Sequence, residues 1–182
     1  MADKGVPAAL FMALSRTILR TVALNRQQNP AQVLMRANEI LDNEAQSDLF
    51  VTVFYGVWDA KTRTLTYANG GHNPPLLLNR NGRFQLLNGV GMALGVLPQI
   101  TIQQQCIHVQ GGDTLIFYTD GVTEAMNEDY DEFGLERLRI AAANHRKKSA
   151  ADTVQAITQA IRHHAGDTPQ SDDITLVVMK TI

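Results

Sequence analysis

Two acidic loops stand beside runs that read as strands. Phe117-Tyr-Thr-Asp-Gly121 leaves an apolar run at Asp120, and Ser171-Asp-Asp-Ile-Thr175 leads into another at Asp172 and Asp173. Carboxylates at strand ends can converge on one point, and hard oxygen donors of this type select Mg2+ or Mn2+ over softer metals. Asp-Gly and Asp-Asp are also common turn dipeptides, so spacing alone favours plain turns and periodicity cannot decide. His72, inside Asn69-Gly-Gly-His-Asn-Pro-Pro75, either faces a site or simply occupies a strand-to-strand corner, and the corner is the reading its neighbours favour.

Other residues of the right type fall short of a site. His163 and His164 are adjacent on an expected helix, where neighbours point in different directions, so helix-end capping is expected of them rather than metal binding. The stretch Asn127-Glu-Asp-Tyr-Asp-Glu132 lacks the sixth-position Gly and twelfth-position Glu of a calcium loop and reads as a solvated loop near the rim of the acidic site. Cys106 sits in the strand-like Ile100-Thr-Ile-Gln-Gln-Gln-Cys-Ile-His-Val109, which predicts a buried or half-buried thiol rather than a nucleophile. A single cysteine builds no disulfide framework and points to a reducing, cytoplasmic compartment.

The elements that must position these residues can be traced from the patterning. Pro7 opens an apolar run in which Leu10, Leu14, Ile18 and Val22 recur every four residues, predicting a helix over 7–25 with that stripe buried. Asn29 as N-cap and Pro30 at the first helical position open a second helix with Val33, Leu34, Ala37, Ile40 and Leu41 on one face. Residues 50–58 and 64–68 form β-branched and aromatic runs and predict a hairpin. Residues 75–78 and 84–87 predict another, joined across Asn79-Arg-Asn-Gly82. Strands are expected at 100–109, 114–118 and 174–179, the continuous apolar runs implying cover on both faces. Helices are expected near 134–144 and 150–164, the latter opened by the capping box Ser149-Ala-Ala-Asp152 and striped by Val154, Ile157 and Ile161. Helices, then antiparallel hairpins, then helices again predict a layered α+β sandwich.

Composition sets the outer bounds. The 182 residues, 45% hydrophobic and 19% charged, suit one domain with a proper core. A formal net charge of -2 and no basic run beyond Arg146-Lys147-Lys148 offer no footprint for nucleic acid or an anionic membrane. No stretch approaches the roughly 20 apolar residues that span a bilayer, and the first residues lack the features of a signal peptide.

Four motifs then occur in an order and spacing that resemble the SpoIIE-type phosphatases of the PP2C-like superfamily. They are Lys4-Gly-Val-Pro-Ala-Ala-Leu10, Asn69-Gly-Gly-His-Asn-Pro-Pro75, Phe117-Tyr-Thr-Asp-Gly-Val-Thr-Glu124 and Asp172-Asp-Ile-Thr-Leu-Val177, with Phe50-Val-Thr, Ala93-Leu-Gly-Val96 and Phe133-Gly-Leu-Glu-Arg-Leu138 between them. The resemblance covers the whole chain and implies a single domain over 1–182 with a four-layer α-β-β-α sandwich. It also implies a site for two Mn2+ or Mg2+ ions, whose bridging water attacks phosphoserine or phosphothreonine. By the same resemblance Asp120 and Asp172 match metal ligands, while Asp173, Gly121, Gly71, His72 and Asn73 lie near the metals or the substrate. Its implied partner is a phosphorylated signalling protein, such as an anti-sigma-factor antagonist. An upstream sensor or receiver domain and a dimer are compatible with it.

The chain departs from the family at the front. The resemblance places Met1 just after the aspartate of a Gly-Asp-Val-Ser-Gly-Lys-Gly motif, so two early strands and two metal carboxylates are missing, and Asp3 matches a variable position rather than a ligand. The expectation drawn from this is that Met1 is a GTG codon read as a start within a longer protein. Upstream in-frame sequence without the two aspartate motifs would sink it. The alternative is a catalytically inactive domain that serves as a binding or regulatory module.

Overall fold

The computed structural model describes residues 5–24, 29–44 and 49–181, so Met1, Asp3 and Lys4 of the first motif lie outside the described residues, as does the predicted end of the first helix at position 25. In chain order the elements are α1 (Val6–Ala23), α2 (Pro30–Glu44), β1 (Val53–Asp59), β2 (Thr64–Gly70), β3 (Leu76–Leu78), β4 (Phe84–Leu86), β5 (Gln104–His108), β6 (Thr114–Tyr118), α3 (Asp120–Thr123), α4 (Gly134–Asn144), α5 (Ala150–Ala165) and β7 (Leu176–Lys180). They fall into two compact units, one of Met1–His72 with Asn88–His108 and one of Asn73–Leu87 with Val109–Ile182.

In the first unit α1 and α2 pack on an antiparallel sheet of order β1-β2-β5. The buried face of α1 is Ala8, Phe11, Ser15, Ile18 and Val22, whereas Leu10 and Leu14 of the predicted stripe are 67% and 39% exposed. A strict four-residue repeat drifts by about 40° per step on a helix of 3.6 residues per turn, and alternating steps of three and four hold one face. Ser15 enters that face because its hydroxyl donates to the Phe11 carbonyl at 2.7 Å. With 18 residues and a mean hydropathy of 1.3, α1 is long and apolar enough by length and composition to cross a membrane, contrary to expectation. Its Phe11, Ile18 and Val22 instead share a core with Leu34, Ala37 and Leu41 of α2.

The start of α2 follows the predicted chemistry. Asn29 Oδ1 accepts the Gln32 amide at 2.9 Å and the Asn29 amide donates to Gln32 Oε1 at 3.0 Å, a reciprocal cap. Buried Asn38 then ties the helix to the loop before β5, donating to Leu97 O at 2.9 Å and accepting from the Gly95 amide at 2.9 Å. β5 is shorter than expected and, among the described residues, pairs only with β2. As an edge strand it alternates, so Cys106 shares the outward face with Gln104 and His108 and is exposed, which corrects the predicted buried thiol.

In the second unit the sheet order is β4-β3-β6-β7, all antiparallel. The β3–β4 turn is the expected one: Gly82 has φ 83°, and Asn79 Oδ1 accepts the amides of Asn81 at 3.0 Å and Arg83 at 2.9 Å. Leu76, Leu78 and Ile116 of the sheet bury against Leu138 of α4 and Ile157 and Ile161 of α5. Ser149 and Asp152 form the predicted capping box, and Lys180 Nζ braces the adjoining α4–α5 loop by donating to the carbonyls of His145, Arg146 and Lys148. β6 is covered on both faces, as its unbroken apolar run predicts. β7 is an edge strand with Val177 55% exposed, which corrects the same expectation there. Each unit thus sets helices against an antiparallel sheet, the α+β class.

Candidate metal centre at the paired aspartate loops

Register decides where the acidic loops go. β6 and β7 pair from Thr114 with Lys180 to Tyr118 with Leu176, so the end of β6 and the start of β7 share one edge of the sheet. Thr119 extends the pairing by a residue: its amide donates to Thr175 O at 3.2 Å and its Oγ1 accepts the Thr175 amide at 2.9 Å. The same hydroxyl donates to Asp173 O at 3.0 Å. Asp120 follows at once as the first residue of the one-turn helix α3, where the sequence predicts only a loop. Thr119 stands at the N-cap position, but its hydroxyl bonds to the partner loop and makes no cap bond to α3, so the usual side-chain cap offers no sequence signal for this helix.

Gly121 completes the approach. A Cβ there would lie 2.5 Å from Asp173 O and 3.2 Å from Asp172 O, so only glycine lets the two loops touch. The structure therefore brings Asp120, Gly121, Asp172 and Asp173 together. Each ligand-candidate carboxylate is held locally: Asp120 Oδ1 accepts the Gly121 amide at 3.0 Å, and Asp172 Oδ1 accepts the Asp173 amide at 2.9 Å. Gln170 Nε2 braces the second loop by donating to Asp172 O at 2.7 Å. Both aspartates face solvent, while the Tyr118 phenol behind them is buried in the core and thereby pushed above its usual range.

Gly71 and His72 belong to the first unit and Asn73 opens the second. Gly71 has φ 75° and its Cβ would sit 2.7 Å from the Ala93 amide nitrogen. Buried Asn69 brackets the turn, donating to His72 O and accepting from the His72 amide, both at 2.8 Å. His72 Nδ1 lies 3.3 Å from Thr52 Oγ1. This is the geometry of a packed corner.

Two further expectations are refined. His164 does not cap its helix, whose end is closed by the Gly166 amide on Arg162 O. Its Nε2 instead lies 2.9 Å from Asp131 O, with its ring edge-on to Phe133. The acidic stretch 127–132 is a solvated turn in which Asn127 Oδ1 accepts the amides of Asp129 and Asp131, leaving Tyr130 86% exposed.

The donor chemistry fits a hard divalent cation. Mg2+ is commonly held by one or two carboxylates with water and substrate phosphate filling the remaining positions, and Asp120 and Asp172 are exposed oxygen donors of that type. Among the described residues no group of three or more Asp, Glu, His or Cys side chains is placed to hold an ion.

Comparison with known proteins identifies the fold and the family. The SiaA PP2C domain of Pseudomonas aeruginosa superposes with a TM-score of 0.87 at 21% identity, covering 100% of this chain and 73% of that one. RsbX in complex with magnesium superposes with a TM-score of 0.67 at 18% identity over 97% of this chain and 75% of that one. The fold is accordingly that of the PP2C-like phosphatase domains, as the sequence motifs implied. The family model described as Stage II sporulation protein E (SpoIIE) matches residues 1–182, and the chain belongs to that family. Protein IcfG of Synechocystis sp. (strain ATCC 27184 / PCC 6803 / Kazusa) is 30% identical over 98% of this chain, and the phosphoserine phosphatase RsbU of Bacillus subtilis (strain 168) is 29% identical over 97%. The chain spans 32% of the length of the former and 52% of the latter.

Proposed function

We propose that this chain carries a metal-dependent protein serine/threonine phosphatase site that hydrolyses phosphoserine or phosphothreonine on a cytoplasmic signalling protein, such as an anti-sigma-factor antagonist. The observation that carries the reading is the contact of the Asp120 loop with the Asp172 loop at one sheet edge, fastened by Thr119 and made possible by Gly121. The phosphatase relative RsbU and the magnesium complex of RsbX support it. Asp120 and Asp172 are the residues that would hold Mn2+ or Mg2+. A bound ion would supply Lewis acidity toward the phosphoryl group and lower the pKa of a bound water toward roughly 7. The chain's own contribution is positional. It brings the two aspartate-bearing loops together with both aspartates exposed, and it commits the Thr119 hydroxyl to backbone partners.

The test is hydrolysis of p-nitrophenyl phosphate and a phosphoserine peptide with and without Mn2+. Mn2+-dependent turnover is expected, with Asp120→Asn and Asp172→Asn each lowering it at least ~100-fold, since even residues behind metal ligands cost 10–100-fold. Turnover indifferent to both substitutions would overturn the assignment. The second reading, a binding or regulatory module, is favoured by the lack of a third metal-holding side chain among the described residues. Retained binding of a phosphoprotein with no turnover at any Mn2+ concentration would select it.

A further inference from the structure

A cavity of about 160 Å³ opens in the second unit beside the aspartate loops. Gly121 and Ser171 lie on its wall, and they are the chain neighbours of Asp120 and Asp172. Each carboxylate-bearing residue is therefore one Cα step, about 3.8 Å, from the cavity lining. Met126, Ile161 and Ile174 bring hydrocarbon to its lining with Ala165, the last residue of α5, and Thr168 and Gln170 add polar atoms. Exposed Arg162 stands at its edge and makes no ion pair among the described residues.

Size and chemistry select the occupant. Pockets for cofactors and metabolites run to about 300–1,000 Å³, so this one is too small for a nucleotide. An apolar cavity of about 150 Å³ holds a benzene-sized group, the bulk of a single leucine, methionine or phenylalanine side chain. Arg162 would repel a lysine or arginine, which adds rejection of the wrong residue to attraction of the right one.

We propose that this cavity is a subsite for an apolar side chain flanking the phosphorylated residue of the protein substrate, an inference that rests on the phosphatase reading above. A phosphate held through a divalent ion on Asp120 and Asp172 would leave the adjoining substrate backbone passing Gly121 and Ser171, where a neighbouring side chain would reach Ile161 and Ile174.

Two measurements test it. In the first, phosphoserine peptides with Leu, Lys or Gly at each flanking position are hydrolysed with Mn2+ by the wild-type chain, by Ala165→Phe, which fills the cavity, and by Met126→Ala, which enlarges it. At one position Leu should lower KM roughly tenfold relative to Lys, the range in which apolar pockets discriminate. Ala165→Phe should erase the preference, and Met126→Ala should move it toward Phe. In the second, an unphosphorylated leucine peptide is titrated without metal while the methyl resonances of Met126, Ile161 and Ile174 are followed. Those signals should shift in the wild type and stay still in Ala165→Phe. A flat peptide panel from an enzyme that turns over, or methyl signals that do not respond, would overturn the subsite. Absent turnover with the methyl response intact would remove the phosphatase reading alone and leave the cavity standing as a side-chain site.

Discussion

Gly121 lies against the main chain of Asp173 so closely that an added Cβ would sit 2.5 Å from the Asp173 carbonyl oxygen. This contact joins the two aspartate loops, and it makes Gly121→Ala a sign test. Alanine is the better helix former by about 1 kcal/mol, so propensity alone would stabilise α3. Overpacking a tight contact costs about 1–3 kcal/mol and would have to push the loops apart. The expected outcome is a lower Tm together with Mn2+ affinity weakened at least tenfold. Thermal melts with and without Mn2+ separate the two effects.

Thr119 is the second fastening. Thr119→Val removes the donor to Asp173 O and the acceptor of the Thr175 amide while keeping the branched shape. The site is half exposed, so water can replace part of what is lost, and about 1 kcal/mol of stability is expected to go. Thr119→Ser should recover most of it. Urea midpoints compare the three proteins, and Mn2+ titration should show weaker binding in the valine variant only.

Legibility in the sequence follows the range of the interaction. The 79–82 turn and the Ser149–Asp152 cap lie within a few residues of one another, and both were readable because their side chains bond to nearby backbone. The meeting of the Asp120 and Asp172 loops is reachable only through the family motifs, since Thr119 meets its partners 54 and 56 residues away. What failed did so for identifiable reasons. Leu10 and Leu14 match a repeat of four but not the helical period, and Cys106 and Val177 lie on edge strands whose open faces no local pattern announces. The closeness of Gly121 to Asp173 is invisible in composition, because Asp-Gly reads first as a turn.

The corner at His72 makes a prediction within the first unit. Asn69 is 6% exposed and spends both ends of its amide on His72. Asn69→Ala leaves the half-buried His72 N–H and C=O without those partners and should cost about 1 kcal/mol. Asn69→Asp keeps the acceptor but loses the donor and buries a charge, so it should be worse than alanine at neutral pH and recover toward it in acid. Denaturant unfolding of both variants at the two pH values checks the order.

The capping box of α5 supplies a pH dependence whose sign can be derived. The Ser149 hydroxyl and then the Ser149 amide donate to the Asp152 carboxylate and hold its pKa below the usual carboxylate value, while Ser149 Oγ accepts the Asp152 amide at 3.0 Å. A carboxyl whose pKa is depressed on folding contributes stability above its unfolded value and loses it as the pH falls through the folded value. Ser149→Ala removes the strongest of those donors, so the folded and unfolded values of Asp152 draw together. The variant should therefore be less stable near neutrality and show a shallower decline between about pH 5 and pH 2 than the wild type. Both groups are exposed, which keeps the effect small and makes the difference in slope, rather than either Tm, the quantity to measure. An acid limb as steep in the variant as in the wild type would place the pH sensitivity in other carboxylates.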